Sequence, residues 1–322
     1  MNIPITQTKE WQNLQDALGE KSFFKKEKSY QYLAILKHTP TGNYLYCPYG
    51  PVAKDNQSFQ QALKDLTDLA KDHRAFFIRI EPQNPDFTLP ESAKKSKDLN
   101  PSDTWVLDLT PDKPTLLTNF SQGTRTRYNT FAKKGLSVEK TKDPAEIRHL
   151  VSLQNQLYKT KNLNAFSADY LKSELEQPFA TLYLVKYHTP ADVPTQAPAG
   201  NQTPTPADGQ VIAASLFFDH DDTRYYMQSA ADMRYKKLPA TVALLTTALF
   251  DAKEQGTKEF DFWGIAPDGA PKDHPWAGFT EFKKSFGGSA RHYAGTYDIV
   301  LNPTKYKLYQ STRRLHRFLR KI

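Results

Sequence analysis

Apolar residues recur along this chain at helical and strand spacing in turn, and the elements they predict fall into two halves of related design. In the first half, residues 10–18 read as a helix closed by Gly19, and 30–36 and 43–47 read as strands joined by a turn at Thr39-Pro40-Thr41-Gly42. Residues 58–71 are amphipathic, with Phe59, Leu63, Leu66 and Ala70 on one face. Strands are predicted over 75–80 and 104–109, a lysine-rich loop over 93–100, a short helix from Pro114, and a basic helix over 123–134 stopped by Gly135. The second half opens at Asp143, which can cap a helix with Pro144 at its first position and Glu146 completing a capping box. Ile147, Leu150, Val151, Gln154 and Leu157 follow at helical spacing, and Ser167 can cap a further helix containing Tyr170, Leu171 and Leu175. Residues 181–187, 210–218 and 223–228 read as strands, Pro239 starts an apolar helix that ends at Gly256, and 258–263 read as a buried strand. Between the first two of these strands, 189–209 is rich in Pro, Ala, Thr and Gly, and reads as a flexible hairpin insertion rather than a domain boundary.

The fold class is therefore α+β. A strand, a helix packed across the sheet and a further strand ending in a loop resemble the core of the GNAT acyltransferase fold. Two GNAT-like domains are expected, each a mixed sheet with flanking helices: 1–138, completed by a C-terminal helix over 303–322, and 139–302. A length of 322 residues fits about two domains. The single cysteine, Cys47, allows no internal disulfide and fits a reducing compartment, most simply the cytoplasm. No apolar run approaches the roughly 20 residues needed to span a bilayer, and the first residues, Met1-Asn2-Ile3-Pro4-Ile5-Thr6, lack the basic start and apolar stretch of a secretory signal. A net charge of +8 favours an anionic partner such as tRNA, a nucleotide-linked substrate or a membrane surface. The histidines show no metal-ligand spacing, and neither a metal nor a cofactor is expected.

One stretch carries the candidate chemistry. Glu259-Phe-Asp-Phe-Trp-Gly-Ile265 is a strand that runs out through Gly264, and Gly278-Phe-Thr-Glu-Phe-Lys-Lys-Ser-Phe-Gly-Gly288 follows as a short aromatic helix. At about 100° per residue, Phe279, Phe282 and Phe286 share a stripe with Lys283 beside it, while Lys284 points away. A cation held against an apolar face is partly desolvated and stabilises a developing oxyanion better than a surface lysine does. The other reading is a lysine whose stem packs on the phenylalanines and whose head reaches water. Asp108, on the strand over 104–109, is either a proton acceptor or a sheet-edge hydrogen-bonding group.

Four segments, in this order, resemble the Fem family of peptidoglycan bridge aminoacyltransferases: Tyr46-Cys-Pro-Tyr-Gly-Pro-Val52, Thr124-Arg-Thr-Arg-Tyr-Asn-Thr-Phe-Ala-Lys-Lys-Gly135, Asp261-Phe-Trp-Gly-Ile265 and Phe282-Lys-Lys-Ser-Phe-Gly287. The resemblance implies two GNAT-like domains, an aminoacyl-tRNA donor, and transfer to the third-residue side chain of the peptidoglycan stem peptide. No stretch suggests the long helical arm of members that act on the lipid-linked precursor. The chain therefore looks closer to compact FemX-type members, which take soluble UDP-MurNAc-pentapeptide.

The resemblance places the catalytic lysine at Lys283. It implies that Lys25, Lys26, the Tyr49-Gly50-Pro51 turn, Tyr170, Tyr226, Gln228, Trp263 and Gly264 bind the acceptor. Two departures leave the acceptor open between nucleotide-linked and lipid-linked precursor: Phe166 stands where compact members can have an arginine, and Gln228 where a tyrosine can occur. Arg125, Arg127, Lys133 and Lys134 form the cluster assigned to tRNA phosphates. The C-terminal run 312–322 adds a second basic face, with docking on the first domain and peripheral membrane contact as its competing roles. The chain is read as a monomer. A GNAT-type enzyme using acyl-CoA and a tRNA-binding protein without catalysis are the other classes in play.

Overall fold

The computed structural model describes residues 3–161, 166–189 and 205–319. The chain divides into two compact units, residues 1–103 with 292–322, and 104–291. The first begins with helix α1 (Lys9–Ala17), whose cap Thr8 accepts the Trp11 N–H. Strands β1 (Lys21–Lys26), β2 (Tyr30–Thr39), β3 (Gly42–Cys47) and β4 (Val52–Ala53) follow, then α2 (Asn56–Asp72), β5 (Ala75–Ile80) and β6 (Ala93–Lys95). Phe59, Leu63, Leu66 and Ala70 of α2 are all buried, as their spacing requires.

The second unit contains β7 (Asp103–Asp108), α3 (Lys113–Asn119), α4 (Gln122–Thr130), β8 (Leu136–Thr141), α5 (Ile147–Lys161), α6 (Ala168–Leu175), β9 (Ala180–Tyr187), β10 (Val211–His220), β11 (Thr223–Ala231), α7 (Ala240–Glu254), β12 (Glu259–Gly264), α8 (Ala277–Lys284) and β13 (Ser289–His292). The chain then returns to the first unit with β14 (Tyr297–Val300) and α9 (Pro303–Leu319).

Each unit is built on one mixed sheet with helices packed on it. The first has the order β1-β2-β3-β5-β14-β6, with β4 on β2; the second has β13-β7-β12-β11-β10-β9-β8. Both contain a parallel pair reached by a helical crossover, β3 with β5 and β11 with β12. The β1–β2, β2–β3 and β5–β14 pairs of the first sheet are antiparallel, as are β7–β12, β8–β9, β9–β10 and β10–β11 of the second. The α+β expectation of two mixed sheets with flanking helices is what the structure shows. Among the described residues no helix exceeds 17 residues, so no coiled-coil arm is present there, and no described helix is long and apolar enough to cross a membrane.

The units divide elsewhere than at 138/139 and 302/303. β7 pairs with β12 across the sequence, Phe260 lying opposite Leu107, which draws 104–138 into the second unit. β14 pairs with β5 and β6, which returns the chain to the first unit before residue 303. The C-terminal helix does complete that unit: Tyr306 and Tyr309 of α9 pack with Phe76, Phe77 and Val300.

Three local expectations change. The lysine-rich 93–100 includes edge strand β6, where lysines are a common guard against further pairing. The basic helix ends at Thr130, with a separate 3-10 turn over Ala132–Lys134 before Gly135 at φ 75°. The capping box at Asp143 does not close: Asp143 accepts the Ala145 N–H, and Glu146 instead meets Arg148 at 2.7 Å. Residues 190–204 of the expected insertion lie outside the described residues, but β9 and β10 on either side do pair as an antiparallel hairpin.

Candidate active site

In β12, Phe260, Asp261 and Phe262 are buried, and the strand leaves the ladder at its end. Asp261 lies opposite Val106 and Gly264 opposite Thr104, so β12 carries extra chain between these pairs. Trp263 takes φ 66°, a left-handed conformation that a bulky side chain adopts only under constraint. The constraint is visible: the Trp263 N–H donates to Asp261 Oδ1 at 2.7 Å, and the indole meets the Tyr225 ring edge-on.

Helix α8 brings the lysine to this turn. The Thr280 hydroxyl donates to the Trp276 carbonyl at 2.7 Å and accepts the Ala266 N–H at 2.9 Å, fastening the helix to the chain beyond β12. Phe286 is buried against Phe120, Phe262 and Phe282, while Phe279 at the other end of the stripe remains 38% exposed. Lys283 is 8% exposed, and its Nζ donates to the Gly264 carbonyl at 2.5 Å and lies 5.1 Å from the Phe279 ring centre. Its head therefore does not reach out to water. Lys284 does face outward, 3.4 Å from Glu281 and over the Trp105 ring. A cleft of about 530 Å³ opens between residues 266–272 and the face of α8 carrying Gly278, Glu281 and Lys284.

Burial lowers the Lys283 ammonium to about 8, against the opposing pull of the Asp261 charge. Burial likewise raises Asp261 to about 6, against the Trp263 amide, Arg291 and Thr104. An ammonium has three donors, and Gly264 takes one. The site thus offers a desolvated cation and N–H donors beside a fixed backbone turn. Asp261 was legible only within its motif. An acid flanked by two phenylalanines in a buried strand signals a partnered charge, but not which partner.

The other candidates in this unit lie on α6 and β11. Tyr170 is held at the start of α6 by the Ser167 cap, stacks on exposed Phe166 at 5.2 Å, and bonds through its hydroxyl to Glu174, whose buried carboxyl is pushed up to about 8. The Tyr226 hydroxyl donates to Ser229 at 2.6 Å, and the Gln228 carbonyl accepts from Ser215 at 2.7 Å, beside a bulge in the β10–β11 pairing. Asp108 is exposed and accepts the Thr110 N–H at 2.8 Å, closing the end of β7.

In the first unit the Tyr49-Gly50-Pro51 turn is buried and tightly held. Tyr49 has φ 49°, its N–H donates to Glu81 Oε2 at 3.2 Å, and its hydroxyl donates to the Pro101 carbonyl at 2.8 Å. The Gly50 carbonyl accepts the Glu81 N–H at 2.9 Å, and a Cβ on Gly50 would stand 2.5 Å from the buried Gln7 carboxamide. Lys25 and Lys26 occupy opposite faces of β1. Lys25 is paired with Asp65 at 2.5 Å, and Lys26 is exposed.

The basic cluster is not uniform. Arg125 donates to the Thr118 carbonyl at 2.9 Å and to the Phe120 carbonyl, securing the α3–α4 turn. Arg127, Lys133 and Lys134 are exposed. Among the described residues no group of three or more His, Cys, Asp or Glu side chains could hold a metal ion.

The sequence over residues 198–314 matches the FemAB family. The fold is similar to the crystal structure of FemX, with a TM-score of 0.77 and 16% identity over 95% of this chain and 94% of that one. It is also similar to L-PGS from Bacillus licheniformis, with a TM-score of 0.58 and 14% identity over 88% of this chain and 84% of that one. No curated protein sequence matches the chain. At these identities the structural likenesses speak for the fold alone; the sequence match spans β10 to α9 and includes the Trp263 turn and Lys283. The chain is thus similar to FemAB-family sequences over residues 198–314, on a fold similar to that of FemX along nearly the whole chain.

Proposed function

We propose that this chain is an aminoacyltransferase that moves an amino acid from the 3′ ester of aminoacyl-tRNA to the side-chain amine of the peptidoglycan stem peptide, with UDP-MurNAc-pentapeptide as acceptor. The observation that carries the reading is the buried Lys283 ammonium bonded to the Gly264 carbonyl at the end of β12. The ester is already activated, so the protein's tasks are to align the amine with the carbonyl and to stabilise the charge that develops. The amine nitrogen forms the new C–N bond, and the carbonyl oxygen takes negative charge beside Lys283. The bond to the ribose 3′ oxygen then breaks, and the proton lost by the amine ends on that oxygen. Within the second unit, Trp263 and Gly264 wall the reacting centre and Tyr170, Tyr226 and Gln228 serve the acceptor; Lys25, Lys26 and the Tyr49-Gly50-Pro51 turn are the first unit's own candidates for acceptor contact. Absence of a long helical arm among the described residues favours the nucleotide-linked acceptor.

An acyl-CoA donor fits less well. The connection from β11 to α7 contains no glycine that would let a pyrophosphate approach the backbone, and Arg234 there is held by Asp232. Incubation of the purified protein with charged tRNA and, in parallel, UDP-MurNAc-pentapeptide or lipid II tests the acceptor assignment. The nucleotide-linked product should gain the mass of one aminoacyl residue; gain on lipid II alone would overturn it.

For the donor, Arg127, Lys133 and Lys134 are the groups that meet phosphates in this proposal. Replacing the three by Ala should reduce the slope of log affinity against log salt by about 0.9 for each phosphate no longer neutralised. Arg125→Ala should leave that slope nearly unchanged, because its guanidinium is already engaged by two carbonyls. Binding measured from low to moderate salt distinguishes these results, and an unchanged slope in the triple variant would remove these residues from the tRNA interface.

A further inference from the structure

Asp261 is fully buried, on a strand with neighbours on both sides. A carboxylate in such a place is costly unless each oxygen is engaged. Oδ1 accepts the Trp263 N–H at 2.7 Å, and Oδ2 accepts the Thr104 hydroxyl at 3.2 Å. The first bond spans the two residues over which β12 leaves its ladder and Trp263 takes φ 66°. The next residue is Gly264, whose carbonyl meets Lys283 Nζ at 2.5 Å.

We propose that Asp261 is a positioning residue for the transfer: its carboxylate holds the Trp263 turn that aims the Gly264 carbonyl at Lys283, and sets a fixed negative charge against that ammonium. The inference rests on the oxyanion role proposed for Lys283. The Asp261 charge favours the Lys283 ammonium against the opposing effect of burial. Glu281 and Lys284 on the same helix lie against each other, and Glu259 of β12 and Arg291 of β13 form an ion pair whose charges bear on Asp261. With Asp261 raised to about 6 and Lys283 lowered to about 8, carboxylate and ammonium are both ionised between these values. Above about 8 the ammonium is lost, and the rate should fall with it.

Asp261→Asn keeps an acceptor for the Trp263 N–H and nearly the same volume while removing the charge. The direct readout is the ¹³Cε titration of Lys283 by NMR, assigned with Lys283→Met, alongside the pH profile of single-turnover transfer. In Asp261→Asn the Lys283 midpoint and the alkaline limb of the rate should both move to lower pH by about half a unit or more, with the KM for acceptor little changed. Thr104→Val, which removes only the second bond to the carboxylate, should move both in the same direction by less. A Lys283 midpoint unmoved in Asp261→Asn would overturn the inference. A midpoint that moves while the rate profile stays fixed would leave Asp261's hold on Lys283 standing and overturn the oxyanion reading instead.

Discussion

Lys283→Met should lower the single-turnover rate of aminoacyl transfer by about 100-fold or more, roughly 2.7 kcal/mol, the loss that removal of one oxyanion donor produces. Met fills the space of the lysine stem and keeps the packing against Phe279, so the fold survives while the charge and its donors do not. Stability should be retained. The folded-state pKa of Lys283 is lowered to about 8, below the ordinary 10.5, so the folded protein bears the cost of the buried ammonium at all pH values below about 8. That cost fades as pH rises from about 8 towards 10.5, and Met removes it throughout. Against this stands the missing bond to the Gly264 carbonyl, about 1 kcal/mol. The relief outweighs the lost bond, so the variant should melt no lower than its parent near neutral pH. Lys284→Met is the internal control: its ammonium lies outward against Glu281, and the rate should stay nearly intact. Equal losses from both substitutions, or a Lys283→Met protein that melts far below its parent, would assign Lys283 to structure rather than catalysis.

Stability should suffer most in the first unit, at Asp298→Ala. Asp298 and Arg79 are 0% and 2% exposed, and are joined by two hydrogen bonds of 2.7 and 2.8 Å. The Tyr306 hydroxyl donates to the same carboxylate at 2.8 Å, so one acid ties β5, β14 and α9 together. Removing it leaves a buried guanidinium without its counter-charge, which costs about 3–5 kcal/mol. Arg79→Met combined with Asp298→Leu should recover much of that loss, because a buried pair exchanged for apolar groups of similar volume is often near neutral. Urea unfolding of the single and double variants measures both. A loss under about 1 kcal/mol for Asp298→Ala, well short of the cost of an uncompensated buried charge, would show that water or another group takes over the pairing.

The parts of this fold that were legible in sequence are those fixed by local period. The α2 stripe, the Ser167 cap, the α7 start at Pro239 and the strand–helix–strand order of the second unit all follow from spacing within a few residues. The unit boundary was not legible, because it depends on β7 pairing with β12 and β14 with β5 over more than a hundred residues of intervening chain. Within the site, the placement of Lys283 against the apolar face followed from helical geometry. The Trp263 turn did not, since a left-handed φ at a tryptophan contradicts its local preference and is imposed by the Asp261 carboxylate. Charges were the least legible of all. Lys25 is engaged by Asp65 and Arg125 by two carbonyls, while Lys26 and Arg127, their near neighbours in sequence, stay exposed.

Whether the protein draws an amino acid from aminoacyl-tRNA is decided by rapid-quench transfer of a radiolabelled aminoacyl group to UDP-MurNAc-pentapeptide by the purified protein, beside a parallel reaction given labelled acetyl-CoA. Labelled peptide product should form from aminoacyl-tRNA, disappear in Lys283→Met, and not form from acetyl-CoA. Product from acetyl-CoA alone, or aminoacyl-tRNA bound without transfer to any stem-peptide acceptor, would show that the chain is not an aminoacyl-tRNA-dependent transferase.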